Sequence, residues 1–312
     1  MTSGHEVIGC DLSLFPNAIS GQLTLPTLQW LKDFRDIEEK DLFGVDAIAH
    51  LAGISNDPMG ELNPGLTLKI NGEGAIQLGK IAKAAGVKIY TFASSCSIYG
   101  SSGDQPRTEQ DETNPLSEYA SSKLYAEHGL SKLEADYFHV YLLRNATAYG
   151  ASPVLRTDLV VNDLSAGMCA TGIAEIRSDG SPWRPLIHCR DMARAFQLFI
   201  ERDPIELSGK PVNIGFNLEN FQVKDIGAGV QKAWPEGLVN YSPNSVSDPR
   251  DYKVDFSLLK NTFPDFEPEH PLNKGIPELR LLLMQIGYSQ IERNSKRYVR
   301  LNELRARIRE LS

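Results

Sequence analysis

The 312-residue chain is predicted to fold as a doubly wound parallel α/β sheet with a smaller second lobe. Three observations carry that expectation. Strand-like runs alternate with helical patterns from Glu6 to Leu143. After Gly150 the pattern loosens into short elements and polar loops. An apolar run near the start, Glu6–Cys10, closes on a carboxylate, Asp11.

That first run reads as a strand. A strand ending in an acid fits the second strand of a dinucleotide-binding unit, where the carboxylate holds the adenosine ribose hydroxyls. Such an acid follows a glycine-rich turn by about 20 residues, which puts the turn roughly ten residues before Met1. Val45–Ala52 (VDAIAHLA) is the next buried strand. Gly60–Gly86 follows as a long amphipathic helix, broken near Pro64, and Val87–Ala93 (VKIYTFA) as a strand. Ser117–Ala135, rich in Ala, Leu, Lys and Glu, is helical, and Phe138–Leu143 is a strand. Strands and helices in this alternation make a parallel sheet covered on both faces, with ligands outside the carboxyl ends of its strands.

Beyond Gly150 a helix at Leu155–Thr171 leads to a short strand, Ala174–Arg177, and the polar turn Ser178–Trp183. His188–Glu201 is helical and Pro211–Phe216 (PVNIGF) a strand. The expected division is a dinucleotide-binding domain over 1–153, to which 186–216 returns. A substrate lobe takes 154–185 and 217–290, and 291–312 forms a basic tail helix. Glu292–Ser312 alternates Arg and Lys with Ile, Val and Leu, so it packs amphipathically on its own domain. An oligomer contact is the alternative, and a homodimer is expected.

A net charge of −8 argues against a general nucleic-acid binder. No apolar run approaches the roughly 18 residues of a membrane span, and no secretory h-region is evident. The four cysteines are scattered without metal-ligand spacing, so no metal is expected and a reducing, cytoplasmic setting fits. The sequon Asn145-Ala146-Thr147 has no consequence there.

Three short segments carry chemistry. In EYASSK, Tyr119 and Lys123 are four apart on a predicted helix and share a face. A neighbouring ammonium favours the phenolate, so the pair can take a proton from an alcohol or return one. Alone, a Tyr-x-x-x-Lys spacing also describes an ordinary surface pair. In FASSCSIYG, Ser94 and Ser95 fall at a strand's carboxyl end, where a hydroxyl can help a reacting oxygen carry charge. Small polar residues also cap turns. Leu51-Ala52-Gly53 ends the earlier strand with small side chains that let a ligand approach the backbone.

HLAG at His50–Gly53, Asn71 in the next helix, SSCSIYG, YASSK, LRNATAYG and WRPLIHCRD follow one another in order at sensible spacings. Together they resemble the extended short-chain dehydrogenase/reductases, the NAD-dependent epimerase/dehydratase family, from about Gly4 to about Leu282. The resemblance implies a Rossmann-like sheet, NAD as cofactor and a Ser95–Tyr119–Lys123 triad. Ser95 would bind the reacting oxygen, Tyr119 would be the acid/base, and Lys123 would hold the nicotinamide ribose and tune Tyr119. Asp11 would bind the adenosine ribose and Asp36 would lie near the adenine. Leu51, Ala52, Gly53 and Asn71 complete the implied cofactor set. NAD is favoured over NADP because no Arg or Lys follows Asp11 until Lys32.

Members of this family begin with a strand, a glycine-rich turn and a helix. MTSGHEV resembles the end of that helix, so the chain is expected to lack the first strand, the phosphate loop and most of the first helix. The pyrophosphate then loses its backbone cradle, and the sheet a central strand.

Family 4,6-dehydratases resemble one another in a Thr-Asp-Glu where this chain has Ser95-Cys96-Ser97, which leaves no acid for a leaving hydroxyl. Some 3,5-epimerising members place a cysteine at the position of Ser97, and Cys96 is one place off. Hydride chemistry without an extra acid pair remains: 4-epimerisation, or plain oxidation or reduction. For a nucleotide sugar, the resemblance implies contacts from Ser95, Ser97, Thr147, Asn162, Arg184 and Arg250, with two guanidinium forks suited to a diphosphate. The family often has asparagine where this chain has Thr147. A non-catalytic remnant with impaired cofactor binding is the competing expectation.

Overall fold

Parallel pairing organises the first half of the chain. The computed structural model describes residues 3–101, 105–242, 250–295 and 297–311. Strands β1 (Ile8–Asp11) and β2 (Leu28–Leu31) pair in parallel as one small sheet. Strands β3 (Ala47–His50), β4 (Ile89–Ser95), β5 (His139–Asn145) and, later in the chain, β9 (Pro211–Ile214) form a four-stranded sheet in the order β3-β4-β5-β9. Every pair in it is parallel.

The alternation of side chains along β4 and β5 explains the double winding. Tyr90, Phe92, Val140 and Leu142 face one core, and Ile89, Tyr141 and Leu143 face another. The first core is closed by α3 (Ala75–Ala84) and α4 (Glu118–Leu130), through Ala75, Leu78, Ala82, Ala126 and Leu130. Helix α6 (Cys189–Arg202) closes the second, through Ala195, Phe196 and Phe199. A long helix is expected over Gly60–Gly86. It forms as α1 (Asp57–Gly60), α2 (Pro64–Thr67), a π-helical stretch at Leu68–Gly74, and α3. The break at Pro64 has the cause read from the sequence: proline takes the first turn of a helix, with Asn63 capping the Leu66 N–H at 3.0 Å.

A third core joins α5 (Val160–Thr171), α7 (Val223–Ala233) and α9 (Leu272–Gln285) through Val161, Leu164, Ile226, Val230, Ile276 and Leu279. The short strands β6 (Thr147–Tyr149), β7 (Ile173–Ile176), β8 (Trp183–His188), β10 (Asn220–Gln222) and β11 (Leu238–Tyr241) make two further small sheets, β10-β8-β6 and β11-β7. Helix α8 (Ser257–Thr262) packs beside β9. The expected single tail helix is two, α10 (Gln290–Ser295) and α11 (Arg300–Leu311), because the chain turns between them. Lys296 and Ser312 of that segment, and Met1 and Thr2 at the start, lie outside the described residues. Residues 3–7 are turn and extended chain, which corrects the expectation of a helix end there.

The sheet is interrupted where a missing strand is expected. Strand β1 pairs only with β2, and β3 only with β4, among the described residues. All four residues of each strand line one cleft of about 370 Å³, floored by Phe34, Ile37, Leu42 and Leu78. Two strand edges with unspent N–H and C=O groups therefore flank an apolar slot.

Candidate active site

The carboxyl ends of β3 and β4 and the start of α4 meet at one place. Ser95 closes β4, and its Oγ accepts the Ser97 N–H at 3.2 Å, turning the chain into a 3₁₀ turn. Ser117 caps α4 by accepting the Ala120 N–H at 3.1 Å, which fixes the first turn that carries Tyr119. Gly60 backs onto that turn: a Cβ there would meet Tyr119 N at 3.0 Å. Ser95 lies close enough to Tyr119 to lower its phenol pKa. One turn further along α4, Lys123 is 4% exposed. Its Nζ donates to the Ala93 carbonyl at 2.7 Å and lies 4.7 Å from the Phe92 ring centroid and 5.9 Å from that of Tyr119.

Electrostatics at this centre depart from sequence-level expectation. Sequence alone has Lys123 lowering the phenol of Tyr119. Instead burial pushes Tyr119 up to about 12, opposed by Ser95, Arg156 and Arg250, and reinforced by Asp57. Burial pushes the Lys123 ammonium down to about 8, with Glu127 opposing. Glu127 sits one turn beyond Lys123 on the same face. It accepts from Arg144 Nη2 at 2.8 Å, and from Ser94 Oγ at 2.5 Å. Ser94 therefore anchors this buried network, while the neighbouring Ser95 faces Tyr119.

Around the triad, several groups had no local signal in the sequence. Asp57 accepts from Ser117 Oγ and Arg250 Nη1. Arg156 grips Asp158 with Nε at 2.9 Å and Nη2 at 3.0 Å, and donates from Nη1 to Ser55 at 3.0 Å. The Arg156–Ser55, Ser117–Asp57 and Arg250–Asp57 contacts join residues 60 to 193 positions apart, which no spacing rule reveals. Glu127 was legible, being four residues after Lys123 on an already predicted helix.

The remaining expected site residues divide by what they touch. Arg184 donates to its neighbour's carbonyl, Trp183 O, at 2.8 Å and to the Arg250 carbonyl, so the two arginines rise from adjoining points. The Ser97 hydroxyl is buried with no hydrogen-bond partner among the described residues. Asn162 spends its amide on backbone, accepting from Gly150 N at 3.0 Å and donating to Arg156 O at 2.8 Å. Asn71 does the same for the loop after β3, bonding both Ile54 N and Ile54 O. Thr147 is half-buried in β6 beside β8.

At the far end, Asp11 is exposed at the tip of β1 and accepts the Ser13 N–H at 2.5 Å. Leu51 and Ala52 line the opposite wall of the same cleft. Gly53 has φ +145, and a Cβ there would approach Asn71 Oδ1 to 2.6 Å, so only glycine gives this close backbone path. Asp36 is exposed and does not line the cleft, whereas its neighbours Phe34 and Ile37 do.

One donor cluster recurs elsewhere among the described residues: His188, His270 and Glu278, with ligand atoms all within 4.8 Å. His188 Nδ1 accepts the Arg190 N–H at 3.2 Å, so its Nε2 keeps the proton and faces Glu278 at 3.7 Å. In that state the ring offers no lone pair to a cation, and the trio ties β8 to α9.

The model of the NAD dependent epimerase/dehydratase family matches residues 1–215. The chain is 26% identical over 255 residues to UDP-glucuronic acid decarboxylase 1 of Arabidopsis thaliana, spanning 78% of this chain and 56% of that relative. It is 29% identical over 161 residues to UDP-glucuronate 4-epimerase of Thermodesulfobacterium geofontis, spanning 49% of this chain and 47% of that protein. Among solved structures, an NAD-dependent NDP-hexosamine 5,6-dehydratase involved in tunicamycin biosynthesis superposes with TM-score 0.79 at 22% identity, covering 92% of this chain and 93% of the other. UDP-glucuronic acid 4-epimerase from Bacillus cereus, solved with UDP-glucuronic acid and NAD, gives 0.78 at 22% identity over 91% and 92%. With the family model matched over more than half of its length, the chain belongs to the NAD dependent epimerase/dehydratase family.

Proposed function

We propose that this chain oxidises a ring hydroxyl of a nucleotide sugar and returns hydrogen to it, with 4-epimerisation as the net change. The observation that carries this reading is that the end of β4 and the first turns of α4 bring Ser95 and Tyr119 together beside a buried lysine, Lys123, whose Nζ lies 5.9 Å from the Tyr119 ring centroid. Bound NAD would supply the hydride acceptor. Ser95 donates to the sugar oxygen as it becomes a carbonyl. Tyr119 takes the hydroxyl proton and later returns it. Lys123, on the same helix face, is the cation within reach of the nicotinamide ribose. Arg184 and Arg250 face the diphosphate, and the unpartnered Ser97 hydroxyl takes a sugar hydroxyl.

A second reading has a specific observation behind it. Relatives named as UDP-glucuronic acid decarboxylases match 78% of this chain. The same oxidation on a 6-carboxylated sugar gives a β-keto acid, which loses carbon dioxide without a further acid group. Dehydration is disfavoured: Ser95-Cys96-Ser97 holds no carboxylate, and Cys96 is fully buried with its thiol pushed up by that burial.

Incubation with NAD and either UDP-glucose or UDP-glucuronic acid, followed by NMR of the products, separates these outcomes. Inversion at C4 supports epimerisation, and a pentose with released carbon dioxide supports decarboxylation. A chain that binds NAD yet leaves every nucleotide sugar unchanged overturns both and marks a non-catalytic remnant.

A further inference from the structure

We propose that Arg300, from the C-terminal helix α11, joins Arg156 in a phosphate-binding site between Asp11 and the catalytic centre, taking the diphosphate of a nucleotide. This inference rests on the reading above only for the identity of that nucleotide.

Geometry brings the tail to this place. Tyr298 O accepts the Thr157 N–H at 3.0 Å, tying the tail to the residue next to Arg156. Arg297 Nε donates to Asn17 O and its Nη2 to Ile19 O at 3.2 Å, tying the tail to the segment after β1. Between these two anchors the Arg300 guanidinium lies 5.0 Å over the Phe15 ring. Helix α11 also packs against α1, the short helix that follows the Gly53 loop. Arg300 is thereby held within electrostatic range of Arg156, Asp158 and Asp11.

The Arg300 Nε is buried and has no hydrogen-bond partner among the described residues. An N–H of a guanidinium removed from water without an acceptor costs free energy that an anion would recover. Two cations held close together raise the same need. Burial and then Arg156 push the Arg300 pKa down to about 10, whereas Asp158 and Asp11 oppose the fall. Arg156 is already gripped by Asp158, so its attraction for an anion is partly spent, and Arg300 supplies the open donor. Asp11 marks the ribose end and Tyr119, which senses Arg156, the reacting end. A dinucleotide laid between them carries its diphosphate past these two arginines.

The test uses the purified chain with inorganic pyrophosphate, ADP and adenosine as calorimetric probes. Arg300→Gln should weaken pyrophosphate and ADP at least tenfold and leave adenosine unchanged. On the unmodified protein, pyrophosphate should slow phenylglyoxal labelling of Arg300, read by mass spectrometry, so a misfolded variant cannot hide the answer. Unchanged ADP affinity in Arg300→Gln with unprotected labelling overturns the site. Tighter ADP binding in the variant also overturns it, because the tail would then obstruct. If the nucleotide reading fails instead, adenosine and ADP do not bind, while pyrophosphate still protects Arg300.

Discussion

Taking an ammonium out of water costs free energy, and Lys123 is 4% exposed with its pKa pushed down to about 8 by burial. The protonated lysine is therefore disfavoured in the folded chain by on the order of 3 kcal/mol relative to the unfolded one. That cost is fully present below about pH 8 and is relieved as pH rises toward the unfolded pKa of about 10.4. Lys123→Met should raise the melting temperature at neutral pH, and the difference from the native chain should shrink near pH 10. Thermal melts at both pH values check this; a variant less stable at neutral pH contradicts it. The same variant should lose turnover. The placement of Tyr119 and Lys123 on one helix and of Ser95 at a strand's end was legible in the sequence. Asp57, Arg300 and the Arg156–Ser55 contact were not, because the groups they meet lie far away in sequence and only folding assembles them.

Helix α4 and strand β5 are joined by a buried ion pair that also holds the end of β4. Arg144 and Glu127 are 5% and 3% exposed, and Ser94 adds its hydroxyl to the same carboxylate. Breaking a buried pair leaves the surviving charge uncompensated at a cost of about 3–5 kcal/mol. Glu127→Ala should lower the unfolding free energy from denaturant melts by that amount, and Glu127→Gln by less, since its amide still accepts. A loss under about 1 kcal/mol in Glu127→Ala would mean that water reaches Arg144 and the network does not hold β4 to α4. Strands β3, β4 and β5 were legible because buried parallel strands read as apolar runs, as in IYTFASS of β4, whereas the mostly exposed β2 gave no such run. The π-helical stretch and the turn that splits the tail depend on tertiary contacts, so periodicity missed both.

Across the whole molecule, the parallel sheet is divided by the slot between β1 and β3. Strand β4 is paired on both sides, whereas β1 and β3 each keep one open edge. Amide exchange should therefore be slow in β4 and β5 and several orders of magnitude faster for the slot-facing amides of β1 and β3. Equal protection throughout would mean that the slot closes in solution. Joining an apolar strand, a glycine-rich turn and a helix ahead of Ser3 should fill the slot, raise the melting temperature and tighten NAD binding.

Absorbance at 340 nm on mixing the protein with NAD and UDP-glucose or UDP-glucuronic acid tests the central claim most directly. Hydride removed from the sugar appears there as reduced nicotinamide. With protein and NAD at comparable concentration and rapid mixing, the account predicts a transient rise that falls again as hydride returns to the sugar, and for Tyr119→Phe a rise about 10²–10⁴-fold slower at unchanged NAD affinity. A native chain that binds both ligands without forming reduced nicotinamide, or a Tyr119→Phe variant that forms it at the native rate, would contradict the account.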